Sequence, residues 1–287
     1  MSAVYKRELR SYFCGMSGAV FTAFLLLMAG IYTTALCLTS GYPGFEVVLS
    51  SLLFVFLLVI PIITMRSLSE DRHTHTDQLL YALPMKLSSV VLAKFFAMAT
   101  VLAIPTGIMC LYSIILSFYG DVNYGAAYGA LLGFFALGCA LIAIGMFLSS
   151  LTESQVIAAV LTFAAFILMY LMNGIASLIP STAAASLAAF LLCAAALALI
   201  LYVLTKNAAV SATVFAVLAL CLTAVYLIRA SWFEGAIQKV LSGLAFFDPF
   251  TNFANGIFDV TALIYYLSVA GLFVFFTVQS MEKRRWA

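Results

Sequence analysis

Eight runs of about twenty mostly apolar residues divide this chain, and no Asp, Glu, Lys, Arg or His lies near the middle of any of them. A helix needs about 20 apolar residues to cross the hydrocarbon core of a bilayer. The runs fall near 17–38, 46–65, 94–118, 127–149, 156–178, 186–204, 208–228 and 261–280. Only 8% of the residues are charged and 66% are hydrophobic, whereas a soluble domain carries about 25% charge. A water-facing surface cannot be built from so few charges. The expected fold class is therefore an all-α polytopic membrane protein. The first run is longer than the core of a signal peptide and no A-x-A site follows it, so it reads as a retained span. The sixth and seventh runs are separated only by Lys206-Asn207 and read either as two spans or as a re-entrant pair.

The placement of Lys and Arg orients these spans. With the N-terminus inside, the cytoplasmic segments hold Lys6, Arg7, Arg10, Arg66, Arg72, Lys86, Lys94, Lys206, Lys283, Arg284 and Arg285. The outside holds only Arg229 and Lys239. Both termini are expected in the cytoplasm of a multi-pass cell (plasma or inner) membrane protein. The net charge of +2 is too small to suggest a nucleic-acid partner. The six cysteines show no C-x-x-C spacing and read as free thiols packed as small hydrophobes.

Polarity is concentrated in one internal stretch, MRSLSEDRHTHTDQLLYALPMKLSSVVLAKF, residues 65–95. Thr76 or Asp77 is suited to cap a short helix carrying Leu79, Leu80 and Leu83, and Pro84 ends it. A second helix is expected to begin near Ser88 or Ser89 and run through Lys94 into the third span. The segment 66–94 thus reads as a short helix lying across the membrane surface, preceded by an acidic-basic cluster. Residues 1–15 form a second patterned stretch. Val4, Tyr5, Leu9, Tyr12 and Phe13 share one helical face and Lys6, Arg7 and Arg10 another, the pattern of an amphipathic helix at the inner interface. In the outer segment 229–260, Phe233, Ile237, Val240, Leu241 and Leu244 recur at helical spacing, predicting an interfacial or re-entrant helix. Asp248-Pro249 reads as the N-cap and first residue of a further short helix, and Asp259 as the cap of the last span. Gly125, Gly129 and Gly133 make a small-residue ridge for close helix packing, within the chain or against a second subunit.

Catalytic signals are nearly absent. There is no G-x-x-x-x-G-K-[ST], no H-E-x-x-H and no G-x-S-x-G. His73 and His75 are two apart, so on a helix they do not share a face, and no metal site is expected. The chain is not expected to be an enzyme by itself. A proton-driven carrier would keep ionisable groups within its spans. What remains is a membrane body with one structured polar element suited to touching a soluble partner, its leucines supplying contact area and its charges register.

At four places the sequence resembles the membrane subunits of ABC-2 type ABC transporters, and among them the permeases of gliding-motility and copper-enzyme-maturation systems. The places are YKRELRSYF near the N-terminus, RSLSEDRHTHTDQLLYALPMKLSSVVLAKF, SSLTESQVIAA between spans four and five, and FFDPFTNFANGIFDVTALIYYLSVAGLFVFFTVQSMEKRRW at the end. In the second stretch Glu70, Arg72, Thr76, Leu79, Leu80, Pro84 and Lys94 fill the family's positions. The chain departs from the family at His75, where glycine is common. It departs again in its span count, since simple members have six and the sixth and seventh spans look like an inserted pair.

The resemblance implies a single ABC-2 type, type V exporter-like transmembrane domain over 1–287. It implies two copies, identical or paralogous, paired with two separate ABC ATPase subunits that carry ATP and Mg²⁺, with no cofactor on this chain. The loop 66–94 would be the coupling helix, seated through Thr76, Leu79, Leu80 and Pro84, with Glu70, Asp71 and Arg72 meeting charges at the groove rim. Glu153 would make a secondary contact. On the interfacial helix, Glu8, beside Leu9 and Phe13, would tie the N-terminus to this assembly. Spans two and five would line the path for an exported cargo, and their aliphatic walls suit either a lipophilic cargo or a path closed at rest. The alternative reading is a membrane scaffold that couples an ATPase to an extracytoplasmic partner without moving a solute.

Overall fold

The computed structural model describes residues 2–41, 44–74, 87–205, 208–229 and 233–285. The helices among them are α1 (Ser2–Cys14), α2 (Ser17–Tyr32), α3 (Phe45–Thr64), α4 (Arg66–His73), α5 (Leu87–Leu116), α6 (Tyr124–Leu151), α7 (Gln155–Leu178), α8 (Ala183–Thr205), α9 (Ala208–Ile228), α10 (Ala236–Leu244), α11 (Phe250–Ala254) and α12 (Val260–Arg285). They fall into two compact units, one comprising residues 1–167 with 247–287 and the other 168–246.

Among the described residues six helical stretches are long and apolar enough to cross a membrane: Ser17–Leu38, Phe45–His73, Leu87–Leu116, Tyr124–Leu151, Gln155–Leu178 and Val260–Lys283. The two remaining apolar runs form α8 and α9, whose described apolar stretches, Ala183–Leu199 and Ser211–Thr223, are shorter. The described residues are thus those of an all-helical, multi-pass membrane protein, with six helices of that length and apolarity among them beside the eight apolar runs of the sequence. The third stretch begins earlier than its apolar run. Helix continues back from Lys94 to Leu87 because the lysine charge is neutralised inside the protein, as described below.

In the first unit α6 is the central helix and packs against α3, α4, α5, α11 and α12. Its small residues make this close packing feasible. A Cβ at Gly133 would sit 2.7 Å from the Phe253 ring, and one at Gly138 would sit 2.5 Å from Leu102 Cδ2. At Gly145 it would sit 2.5 Å from Thr64 Oγ1, and at Gly129 3.1 Å from the Phe258 ring. At Gly125 the nearest atom is Asn123 Oδ1, 3.4 Å away, in the cap of α6 itself. The ridge glycines 129 and 133 therefore receive aromatic rings of α11 and the turn after it. The functional spacing extends further along the helix than the sequence ridge did, to Gly138 and Gly145.

The α3 sequence is apolar on every side, and packing alone selects its inner face. Phe45, Leu49, Leu52, Phe56 and Ile60 are fully buried at helical spacing, with Phe56 stacked 4.2 Å from Phe134. Val47, Phe54, Leu58 and Ile62 point outward. α2 widens into π-helical turns over Thr33–Leu38, where the hydroxyls of Thr33 and Thr34 donate to the carbonyls of Ala29 and Gly30. The α11–α12 corner is held by Asp259, whose Oδ1 accepts from the amides of Thr261 and Ala262, while Asn252 Nδ2 donates to Oδ2 at 2.8 Å. That fits the expected cap. The cap of α11 differs from expectation. Pro249 occupies the N-cap position, where it has no hydroxyl or carboxylate to offer, and Asp248 contributes its carbonyl, accepting from the Thr251 amide and hydroxyl.

In the second unit α8 packs against α9 and α10. The apolar stripe of segment 229–260 is divided by this packing. Phe233 and Ile237 are buried, with Phe233 edge-on to Phe190 and Tyr226, whereas Val240 and Leu244 are exposed and Leu241 is half-buried. α10 is anchored by Gln238 Nε2 donating to Ile179 O at 2.7 Å and by Gly235 N donating to Ser181 O at 3.1 Å.

Candidate functional site

The polar island 65–95 starts as α4, which follows α3 with only Met65 between them. Ser67, Leu68, Ser69 and Arg72 of this octapeptide are buried. An octapeptide containing five charged or titratable side chains is not apolar enough to hold itself against a membrane body. Its position is fixed by electrostatics.

The fixing residue is Lys94, only 3% exposed. Its Nζ lies 2.8 Å from Asp71 Oδ2 and 3.2 Å from Glu8 Oε1, and it donates to Ser67 O at 2.8 Å. The ammonium thus meets one carbonyl acceptor and two carboxylate ion-pair partners from two other helices. Arg7 Nη2 donates to the same Glu8 oxygen at 2.8 Å, so two cations and two anions balance. The Arg7 guanidinium is held above its ordinary value chiefly by that hydrogen bond to Glu8. A charge removed from water needs such partners, because isolated burial costs several kcal/mol even after relaxation. The node joins α1, α4 and α5.

Around it the contacts continue. Val4 packs on Val90 and Ala93, with Tyr5 against them. Thr100 Oγ1 already donates to Phe96 O, so the 2.9 Å contact with Tyr5 OH has the phenol as donor. Tyr12 OH donates to Ile63 O at 3.3 Å, and burial pushes this phenol upward so that it stays a donor. On α4 itself, Arg66 and Glu70 form a two-bond pair at 2.9 Å across one turn. They are more than a third exposed, so the pair contributes at most a few tenths of a kcal/mol.

Glu70, Asp71 and Arg72 lie on α4, Asp71 turned to Lys94, Arg72 6% exposed. Thr76, Leu79, Leu80 and Pro84 lie outside the described residues. Glu153 is exposed in the turn between α6 and α7. Glu8 is in the node, Leu9 is half-buried and Phe13 is 39% exposed. The structure therefore joins Glu8 and Asp71, which the sequence treated as separate features. It does so through Lys94, which had been read only as the entry to a span. The signal was present in VVLAKFF, since a lysine flanked by apolar residues on a helix needs an internal acid. Among the described residues no group of three His, Cys, Asp or Glu side chains is placed to hold a metal ion.

Chemically the arrangement is a rigid mount. It holds no nucleophile-base pair. It fixes α4, the start of the polar island, against two neighbouring helices, α1 and α5. No curated protein and no solved structure matches the chain. A family model does match, over residues 38–188, just over half of the chain, and it includes α3, α4, the polar island and α5 to α7. Among the described residues, six helical stretches long and apolar enough to cross a membrane and a polar mount at the foot of the second accompany that match, and the chain belongs to the ABC-2 family of transporter proteins.

Proposed function

We propose that this chain is the permease subunit of an ABC exporter and that α4 with residues 75–86 is where a separate ATPase pushes on it. The observation that carries the reading is the buried Lys94 node at the root of the polar island, in a chain of the ABC-2 family. A solvated surface loop has no need of a desolvated ammonium beneath it. An element that must transmit force does. ATP and Mg²⁺ bind to the partner, two ATPases serve two permease copies or a permease and its paralogue, and Leu79, Leu80 and Pro84 supply the seat. Glu153 makes the second contact.

In this reading both termini are cytoplasmic and the membrane is the cell membrane. α8 and α9 add a seventh and an eighth crossing, and an added pair leaves the direction of α12 unchanged. The segment 229–260 then lies outside, with α10 in the outer interface. The outward apolar sides of α3 and α7 face hydrocarbon or the path, which favours a lipophilic or amphiphilic cargo. The likeness to gliding-motility and copper-enzyme-maturation permeases in the sequence agrees with a small permease paired with separate ATPases.

The test is affinity purification of the full chain from its own cells in mild detergent, wild type beside the double variant Leu79→Asp, Leu80→Asp, with mass spectrometry of the accompanying proteins. An ATPase that comes with the wild type and is lost from a folded variant is the expected result. The absence of any ATPase under several extraction conditions overturns the reading. Transport of a cargo by the reconstituted complex, against ATP hydrolysis without transport, separates an exporter from a scaffold.

A further inference from the structure

The Lys94 node holds one side of α4. The other side is held by a single hydroxyl from α6. Ser149 Oγ accepts from the amides of Leu68 at 3.3 Å and Ser69 at 3.2 Å, and donates to Met65 O at 3.1 Å. These are bonds across 80 to 84 residues of sequence. The first four amides of any helix lack a partner within it, and a side-chain oxygen beside them acts as a cap. α4 has no such cap of its own, since Met65 precedes it and makes no side-chain cap bond. Its cap is supplied from another helix.

α4 continues the helical backbone of α3 through Met65, whose φ is −55° and ψ −36° and whose amide donates to Pro61 O at 2.9 Å. Pro61 lies in the last turn of α3, where it removes one backbone donor and crowds the preceding turn. The α6 face opposite this junction is shaped to receive it. Gly145 lies one turn before Ser149, and a Cβ there would come within 2.5 Å of Thr64 Oγ1 and 2.9 Å of Thr64 Cβ. Thr64 and Ser149 are fully buried. Gly145 and Ser149 thus form a notch, the glycine admitting Thr64 and the serine capping the turn after it. Ser150, the next residue, turns the other way and bonds Ser280 of α12 at 3.2 Å.

We propose that Ser149 is the positioning residue of the coupling element: it fixes α4 to the end of α6, so that displacement of α4 is passed to α6 and α12. This rests on α4 being the root of the ATPase-coupling segment. It identifies α6 as the carrier of that movement and the Gly145–Ser149 notch as the joint.

The test is hydrogen exchange on the full-length protein in nanodiscs of phosphatidylethanolamine and phosphatidylglycerol. Three variants are compared with the parent: Ser149→Ala, Ser149→Thr and Ser150→Ala. Loss of one net hydrogen bond corresponds to about five-fold faster exchange. Ser149→Ala is expected to raise exchange of the Leu68 and Ser69 amides by about that factor. Ser149→Thr, which keeps the hydroxyl, is expected to restore protection. Ser150→Ala removes an equal group from the same turn and is expected to leave these amides unchanged. Equal exchange in Ser149→Ala and parent overturns the proposal, and so does equal loosening by Ser150→Ala, which signifies a general softening of α6. In the ATPase complex, ATP with vanadate is expected to shift exchange in 66–73 and at the Ser280 end of α12 together, and Ser149→Ala to abolish the second shift alone. A second shift that persists in Ser149→Ala also overturns it. The nanodisc experiment needs no ATPase. If no ATPase co-purifies, the coupling reading fails while the capping result still stands or falls by itself.

Discussion

Lys94 Nζ and Asp71 Oδ2 lie 2.8 Å apart across two helices, with the lysine 3% and the aspartate 18% exposed. Twenty-three residues separate them in sequence, and the polar island occupies that interval. The pair therefore closes the island at its base: its first helix is bonded to the helix that follows it. Glu8 joins from α1 at 3.2 Å, so the N-terminal helix rests on the same closure.

Removing the cation is expected to be more damaging than removing all the charges. Lys94→Met leaves Asp71 without its cation and Glu8 with Arg7 alone, and breaking a buried pair in this way costs about 3–5 kcal/mol. The triple variant Glu8→Gln, Asp71→Asn, Lys94→Met removes the buried charges, leaves only Arg7, whose side chain is 58% exposed to water, and should recover most of that loss. Thermal unfolding in detergent ranks the three proteins. A Lys94→Met protein as stable as wild type would show that the node is incidental.

The glycines of α6 and α5 should respond in opposite directions to the same methyl group. At Gly133 the added carbon meets the Phe253 ring at 2.7 Å, and overpacking of this kind costs about 1–3 kcal/mol. At Gly107, in the middle of α5, nothing lies within 4 Å, so alanine is expected to gain part of the roughly 1 kcal/mol by which it exceeds glycine in a helix. Unfolding midpoints of Gly133→Ala and Gly107→Ala should therefore fall on either side of wild type. Midpoints displaced in the same direction would contradict the packing assigned to α6.

Some of this was legible in the sequence because it depends on local composition. The apolar runs at 17–38 and 127–149 predict α2 and α6 since nothing but a spanning helix suits twenty uncharged apolar residues. Asp259 announced itself as a cap because capping is a matter of two or three neighbouring residues. The inner face of α3 was illegible, as all its faces are apolar and only packing distinguishes Phe56 from Phe54. The node was legible in parts only. Glu8, Asp71 and Lys94 each stood out as charges, but their meeting is set by the docking of α1 on α5, which no periodicity encodes. Ser149 opens the SSLTESQVIAA stretch, but its capping role was invisible, because a serine in an apolar helix normally satisfies its own turn.

The elbow between α1 and α2 stores strain at Met16. Its φ is +59°, a left-handed conformation that costs an L-residue with a Cβ about 1–2 kcal/mol. Its side chain is 72% exposed, so little packing is lost on truncation. Met16→Gly relieves the strain against a somewhat larger unfolded-state entropy, for an expected net gain of up to about 1 kcal/mol. Met16→Val adds β-branching at the same φ and should be destabilising. The two variants, compared by thermal unfolding, should differ in sign. A glycine variant less stable than the valine one would mean that the thioether side chain holds the elbow.

Acid should loosen the α11–α12 corner through Asp259. Asn252 donates to its carboxylate, and the amides of Thr261 and Ala262 add to this, so the carboxyl is held below its ordinary value of 3.8. Hydrogen bonds to the charged form favour that form. With a folded value below the unfolded one, the stabilisation is complete above the ordinary carboxylate range and is lost as pH falls through the lowered value. Between neutral pH and about 5 this residue should therefore contribute no pH dependence. Below that the corner weakens as the cap takes up a proton. Asp259→Asn keeps an acceptor oxygen but cannot titrate. It should be less stable than wild type at neutral pH, with the difference shrinking toward zero at about pH 2. Circular-dichroism melts of the two proteins over this range give the difference directly. A gap that stays constant down to the lowest pH would show that the Asp259 charge plays no part in capping α12.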